Sequence, residues 1–334
     1  MSFLPVFWFF LLLAVLLLFL ILDGADLGIG ILALFKRGSE RSRILDSIGP
    51  GWYANETWLV IAGAIFFATF PSAYAVTLSS LYIPAMVMLF GIILRAASTS
   101  FRGRGRYEGF WDVSMAVGSL VALLGLGFLL GGLLEGIQVE AGRFTGGLWQ
   151  WFGPISVLSG LGLGAGAAML GAAYMVHEAN HELPKGSSAS LVVSACIALA
   201  LLVPALVLVG IKANSSDPGW SGVARLSLIS AFSAVALVSW IFLMVRAARI
   251  ERGRTAYVLS IAMLLGLGGG AVTAVFPNVV PYGLSISDAA SSQGSLTFAL
   301  FGVAAILPII VAYNIYVRRM LSRGRSDADH TLNA

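Results

Sequence analysis

Residues 4–35 read LPVFWFFLLLAVLLLFLILDGADLGIGILALF, an apolar run that only two aspartates interrupt. A helix needs about 20 apolar residues to cross the hydrocarbon core of a bilayer, so this run predicts a transmembrane helix. No lysine or arginine precedes Lys36, and no small-residue cleavage site follows the run. We therefore expect a retained membrane span and not a signal peptide.

The composition extends this interpretation to the whole chain. Of its 334 residues, 58% are hydrophobic and only 11% are charged, and its mean hydropathy is +0.92. Soluble globular proteins carry about 25% charged residues, so a soluble enzyme and a disordered protein are both excluded. The single cysteine, Cys196, excludes a disulfide scaffold. We expect an all-α polytopic membrane protein, because open sheets leave backbone polar groups unsatisfied in lipid.

Apolar runs between clusters of charge predict nine transmembrane helices. No loop is long enough to fold separately, so residues 1–325 are expected to form a single integral-membrane domain. Residues 326–334 are expected to form a polar cytoplasmic tail. The nine predicted spans cover residues 4–35, 52–77, 79–100, 110–135, 151–178, 188–211, 222–246, 255–276 and 293–317.

The basic residues predict the orientation of these spans. With nine spans, all but three of the 20 lysines and arginines fall on one side, the exceptions being Arg143, Lys212 and Arg225. Cytoplasmic loops carry the excess of basic residues, so we expect the N-terminus outside and the C-terminus in the cytoplasm. The same distribution explains the basic isoelectric point without nucleic-acid binding.

The first span carries two carboxylates at membrane depth, where an ionisable group is costly and marks a functional site by default. Asp23, Asp26 and Gly30 follow the spacing i, i+3, i+7 and share one helical face. Gly24 and Gly28 form a small-residue surface that allows another helix to approach closely. Two interpretations of the carboxylates stay open: a structural role, and a role in proton conduction or cofactor orientation.

The second span begins at its cytoplasmic side with WYANETW, residues 52–58. The tryptophans at both ends of this segment are typical of anchors at the membrane interface. The carboxylate of Glu56, in the first turns, would be stabilised by the positive end of the helix dipole. Arg95 closes the third span on the same side. Asp26, Glu56 and Arg95 are thus expected to meet in the cytoplasmic half of the membrane. They would form either a proton route or a charge-compensated strut.

Residues 177–181 read HEANH and match H-E-x-x-H, the zinc-protease pattern. Two features argue against zinc catalysis. The motif lies at a cytoplasmic helix end, and the Leu-Asp-Gly sequence at 22–24 precedes it, the reverse of the order in intramembrane proteases. No metal site is therefore predicted. The chain's three histidines, His177, His181 and His330, all lie away from the membrane centre, so a multi-haem site in this chain is not expected.

Several segments, taken in order, resemble subunit II of the cytochrome bd-type quinol oxidases, the cyanide-insensitive oxidase subunit II included. The resemblance runs along most of the chain, and no single segment would be specific alone. The segments are residues 23–30 (DGADLGIG), 52–58, 62–64, 70–71, Ala75, Tyr82, 170–174 (LGAAY), 276–277 and 287–293 (SDAASSQ).

The resemblance implies a partner, cofactors and a place in the cell. Family members pair with a homologous subunit I that carries haem b and haem d, in a bacterial or archaeal cytoplasmic membrane. The complex oxidises quinol at the outer face and reduces O2 to water with cytoplasmic protons. Each subunit has two four-helix bundles plus one peripheral helix, in agreement with nine spans. Subunit II usually binds no haem, lines proton and oxygen routes, and in some members holds a structural quinone; small accessory subunits and membrane lipid are further partners.

The resemblance also implies which residues to test in the haem and quinone region. Asp26, Trp52 and Arg95 match family positions that support this region. Asp288, in the motif at the outer start of the last span, is a further candidate, although an N-cap role is its simpler interpretation.

One position departs from the family pattern. The residue after Trp52, often an aspartate implicated in proton uptake, is Tyr53 here. Glu56, three residues on, is the expected substitute. The candidate proton-route residues are therefore Asp23, Asp26, Glu56 and Tyr53.

Two other classes of function stay open. A proton- or cation-coupled secondary transporter would also carry midplane carboxylates and glycine-interrupted helices. An intramembrane zinc protease is a more remote alternative. Both would work without a haem-bearing partner, so the presence of haem in the native complex separates the oxidase from the other two.

Overall fold

The computed structural model describes residues 2–48, 52–102, 107–178, 187–216, 222–247 and 253–332. The described part of the chain is almost entirely helical, as the sequence predicts. Its helices are α1 (Phe3–Leu34), α2 (Gly38–Asp46), α3 (Trp52–Thr69), α4 (Pro71–Phe101), α5 (Glu108–Glu135), α6 (Pro154–Glu178), α7 (Ser187–Ser216), α8 (Gly222–Ala247), α9 (Gly253–Val275), α10 (Ile286–Ala289) and α11 (Gln293–Leu332).

Eight of these helices are long and apolar enough to cross a membrane. The remaining long helix, α3, has 18 residues, and its first turns contain the polar segment at 52–58. The described residues therefore agree with an all-α polytopic membrane protein of eight or nine spans.

Two short antiparallel hairpins mark one end of the helix bundle. Strands β1 (Val139–Glu140) and β2 (Arg143–Phe144) follow α5, and strands β3 (Asn278–Val280) and β4 (Leu284–Ser285) follow α9. We call this end of the bundle the hairpin end, and the opposite end, where α2 lies, the α2 end. α1 runs from the hairpin end to the α2 end, and α3 runs back.

The helices pack around α1, α5 and α6. α1 contacts α3, α5 and α6; α4 packs along α5; and α6 contacts α7 and α9 in addition. Helix α8 packs mainly on α9, and α11 lies against α3 and α1. One apolar cluster fills the α2 half of the bundle and a second fills the hairpin half.

The small-residue surface predicted on α1 is confirmed, and its partner is α6. A Cβ atom added to Gly28 would overlap the Ala167 carbonyl, and one added to Gly171 would lie 2.6 Å from the Gly28 carbonyl carbon. Real Cβ contacts are never this short, so the two backbones touch only because both positions are glycine. Close approach through small residues is the usual way in which membrane helices gain packing energy.

The predicted boundary between the second and third spans, at residue 78, is wrong. α3 ends at Thr69 and α4 begins at Pro71, because proline at the first helical position has no N–H to satisfy. Near the predicted boundary α4 instead bends, with Leu81 at φ −111° and ψ 20°. Pro84 explains this bend, since it removes a backbone donor and its ring clashes with the preceding turn.

Two further features lie outside the predicted spans. The connection between the first two spans contains α2, which packs under the bundle through its buried Ile44 and Leu45. At the other terminus, α11 continues to Leu332 and so extends into residues 326–334, whose role as a polar cytoplasmic tail stays a prediction.

Candidate functional site

Arg95 of α4 forms a buried ion pair with Asp23 of α1. Its Nη1 lies 3.0 Å from both carboxylate oxygens of Asp23, and both side chains are fully buried. A buried pair of this kind offsets the large cost of removing each charge from water, whereas either charge alone would be strongly unfavourable. The pair therefore locks α4 to α1.

A glycine contact sets the position of Arg95. α4 packs on α5 where a Cβ atom added to Gly118 would lie 2.8 Å from the Arg95 backbone nitrogen. Because Gly118 has no side chain, the α4 backbone can reach this depth and carry the guanidinium to α1.

Glu56 of α3 lies at the edge of the same cluster. Its Oε1 is 3.8 Å from Arg95 Nη1, and its side chain is 20% exposed, whereas those of Asp23 and Arg95 are not exposed at all. Glu56 is thus partly accessible from outside the chain, as is Asp26, which is also only partly buried. The sequence-based expectation that Glu56 and Arg95 meet is confirmed in geometry.

Asp26 contacts α3 through Asn55. Its Oδ2 accepts a hydrogen bond of 2.8 Å from Asn55 Nδ2, which also donates to the Leu22 carbonyl at 3.3 Å. The expected cluster therefore exists, but Asp23 is the direct partner of Arg95. Asn55 was missed, although an amide next to Glu56 in an otherwise apolar helix was a usable signal.

Trp52 forms one wall of the cluster. The Arg95 Cζ atom lies 5.1 Å from the centre of its ring, within the range of a cation–π interaction. The Tyr53 ring stacks against Trp52 with centroids 3.7 Å apart, and Tyr53 is largely exposed. We call Asp23, Asp26, Trp52, Asn55, Glu56 and Arg95 the charged site.

Several polar atoms of the charged site are buried without a hydrogen-bond partner among the described residues. They are three donors, Arg95 Nε, Arg95 Nη2 and the Trp52 indole nitrogen, and one acceptor, Glu56 Oε1. Buried polar groups are nearly always paired, and an unpaired one is costly. The donors would be satisfied by a group that offers oxygen lone pairs, such as water, a carboxylate or a carbonyl.

The structure does not bring Asp288 to the charged site. Ser285 is the N-cap of α10, and Asp288 is its third residue, with Ser285 Oγ donating to Asp288 Oδ2 at 2.6 Å. The following segment is bonded to the end of α3, where Ser291 N–H donates to the Thr69 carbonyl. Glu56 lies at the other end of α3, about 20 Å away by the helical rise. The N-cap role at the last span is also wrong, because Asp288 lies within α10, and the residue before α11 is Ser292, whose Oγ accepts from Ser295 N–H at 3.3 Å.

Residues 179–181 of the H-E-x-x-H motif lie outside the described residues. His177 is at the end of α6, where its ring is parallel to that of Tyr257 with centroids 6.5 Å apart, whereas His181 falls outside. Within the described residues no group of three histidine, cysteine, aspartate or glutamate side chains could hold a metal ion.

Comparisons with known proteins give one consistent result. The family model for cytochrome bd terminal oxidase subunit II matches residues 4–321. The chain is 27% identical to cytochrome bd-I ubiquinol oxidase subunit 2 of Escherichia coli K12, over 92% of each chain. It is also 27% identical to a probable cytochrome oxidase subunit 2 of Haemophilus influenzae, over 98% of this chain and 96% of the relative.

A solved structure shares the fold. A chain of the bd oxidase from Geobacillus thermodenitrificans matches with a TM-score of 0.77, covering 96% of this chain and 99% of the other. The sequence identity is 16%, so this likeness concerns the fold alone.

Proposed function

Because this chain belongs to the cytochrome bd terminal oxidase subunit II family, we propose that its charged site supports the haem-bearing subunit I and forms part of a route for cytoplasmic protons to oxygen. The chain is a subunit of a quinol:O2 oxidoreductase complex and a multi-pass protein of a bacterial respiratory membrane. Family membership decides against the transporter and the protease as functions of this chain.

The gradient of burial from Glu56 to Asp23 carries the proton-route proposal. Glu56 is partly exposed, and Arg95, which both carboxylates face, is completely buried with Asp23. Carboxylates exchange protons, and the fixed charge of Arg95 stabilises their ionised forms. A proton taken up at Glu56 would thus pass inward to the Asp23 carboxylate, while the Arg95 guanidinium holds both carboxylates and keeps its own protons. Tyr53 is exposed beside Trp52, so it lies at the exposed end of this route, where the proton would enter.

The unpaired donors carry the proposal of cofactor support. Arg95 Nε, Arg95 Nη2 and the Trp52 indole nitrogen suit a carboxylate, such as a haem propionate, or the carbonyl oxygen of a structural quinone. Among the described residues, His177 and His330 both lie towards the α2 ends of their helices. We therefore assign haem b and haem d to the partner, where they supply the redox chemistry with O2. This chain would orient the groups around them.

The orientation of the chain belongs to the same proposal. Lys36, Arg41 and Arg102 lie at the α2 end, and this excess of basic residues supports an orientation with the α2 end in the cytoplasm and the N-terminus outside. The charged site then opens toward the side from which protons are drawn. We further propose the family arrangement of two four-helix bundles plus a peripheral helix, with quinol and O2 as the substrates of the complex.

Substitution of Glu56 by glutamine tests the proton route. Glu56→Gln keeps the size of the side chain but removes its ability to carry a proton. Oxygen consumption per haem should therefore fall by about a hundredfold or more, the usual contribution of a proton-transfer group. Haem content, read from the absorption spectrum, should stay at the wild-type value. Glu140→Gln in β1 is the matched control, because Glu140 is exposed at the hairpin end. Unchanged turnover of Glu56→Gln would remove Glu56 from the route.

A further inference from the structure

Arg102 connects three helices at the α2 end. It caps the C-terminus of α4, and its Nε donates to Asp112 Oδ1 of α5 at 2.5 Å. Its Nη1 lies 2.9 Å from Asp46 Oδ1, and its Nη2 donates to the Ser42 carbonyl at 2.6 Å, both on α2. Ser42 Oγ donates to Asp112 Oδ2 at 2.5 Å, which closes the network. We call these four residues the α2 clamp.

Within the α2 clamp, the pair of Arg102 and Asp112 is much less exposed than an ordinary surface ion pair, whereas the Asp46 side chain is 68% exposed. The Asp112 side chain is 5% exposed and that of Arg102 17%. For comparison, Lys36 and Glu40 also form an ion pair, and their side chains are 26% and 46% exposed. These two residues are only four apart in the sequence. Removing one member of a desolvated pair leaves the other charge buried, whereas exposed pairs at this spacing contribute little. The clamp is therefore expected to hold α2 in place, and the Lys36–Glu40 pair is not.

Helix α2 depends on such contacts because its nine residues are too few for a stable isolated helix. Its Ile44 and Leu45 are buried in the same apolar cluster as Ile48 and Trp52. Trp52 in turn lies against the Arg95 guanidinium. A continuous set of packed side chains thus joins the clamp to the charged site.

We propose that Arg102 and Asp112 are positioning residues for the charged site. By fastening α2 to α4 and α5, they hold the apolar support beneath Trp52 and keep its ring beside Arg95. Both residues act through Trp52. The restraint on α2 follows from the contacts alone, whereas the effect on turnover rests on the proposed function of the charged site.

Substitution of Asp112 by asparagine, made in the complete oxidase complex, tests both parts. Hydrogen exchange of the α2 amides, measured by mass spectrometry, should be faster by about tenfold or more, since charged hydrogen bonds are lost. Oxygen consumption per haem should fall severalfold and its pH profile should shift. Glu40→Gln, on the same helix, should change neither quantity. Asp112→Glu, which restores the charge, should recover part of both.

The outcomes separate the two parts of the proposal. Wild-type exchange in Asp112→Asn would overturn the clamp itself. Faster exchange with unchanged turnover and pH profile would overturn the positioning role, provided that Glu56→Gln does slow the enzyme. If Glu56→Gln also has no effect, the proposed function of the charged site fails while the restraint on α2 stands. If Asp112→Asn does not assemble, Ser42→Ala replaces it as the test, because it removes one hydrogen bond to Asp112. Ser42→Ala should also speed the hydrogen exchange of the α2 amides and lower oxygen consumption per haem, each by less than is expected for Asp112→Asn.

Discussion

Arg95 holds the charged site together through a single guanidinium group. It pairs with Asp23, lies near Glu56 and faces the Trp52 ring, so three other side chains depend on its position. The two aspartates of α1 differ in what they contact, although they lie three residues apart. Asp23 neutralises Arg95, and Asp26 accepts from Asn55.

This difference predicts unequal effects of two similar substitutions. Asp23→Asn removes the only fully buried carboxylate that is hydrogen-bonded to Arg95 among the described residues, and Glu56, 3.8 Å away and partly exposed, compensates the guanidinium less well. The variant should destabilise the protein by about 3–5 kcal/mol, with loss of assembled complex. Asp26→Asn keeps an oxygen that can accept from Asn55, so it should cost less and lower haem content only in part. The yield of complex, its thermal unfolding and its haem spectrum measure both effects. Equal behaviour of the two variants, or a stable and fully loaded Asp23→Asn complex, would contradict this assignment.

At the scale of whole elements, glycine decides where helices touch. α1 and α6 meet at Gly28 and Gly171, and α4 and α5 meet near Gly118. These contacts fix the depth at which Asp23 and Arg95 lie, so the electrostatics of the charged site depends on apolar packing between backbones.

Alanine substitutions along α6 test this dependence. A Cβ atom at position 171 would overlap the α1 backbone, so Gly171→Ala should destabilise the protein by about 1–3 kcal/mol as the helices separate. Gly164→Ala, on the same helix, meets nothing within 4 Å and should be neutral or slightly stabilising. The unfolding midpoints of the purified variants provide the comparison. A Gly171→Ala protein as stable as Gly164→Ala would show that the α1–α6 contact can relax freely.

At the scale of the whole molecule, the chain is one subunit of a larger enzyme. Among the described residues, the charged site has donors without a hydrogen-bond partner and two partly exposed carboxylates, Asp26 and Glu56, so the isolated subunit presents a site that is still incomplete. The partner subunit and its haems are the proposed source of the missing groups.

Purification through this subunit tests the assembly. The native complex should show visible absorption bands of haem b and haem d, because subunit I is expected to purify with it. The same chain expressed without its partner should be colourless, since no haem ligand is assigned to it. A native complex without haem absorbance would contradict the oxidase assembly, and haem bound to the isolated chain would contradict its placement in the partner.

The sequence by itself determined the class of fold and the residues from which the site is built. Apolar runs longer than the bilayer is thick predict membrane helices whatever surrounds them, and the few charged residues inside such runs are conspicuous. Glu56 and Arg95 were identified in this way before any contact was known. The boundary at Pro71 could have been predicted from the proline itself.

Only the tertiary structure decided which of these residues meet. Asp23 and Asp26 lie on one face of α1 and are equivalent in periodicity, so the choice between them depends on where α4 crosses, which the packing at Gly118 fixes. Asn55 and the α2 clamp also went unseen, because single polar residues in short or separate segments acquire a role only when distant helices bring them together. Long-range contact is not encoded in local spacing.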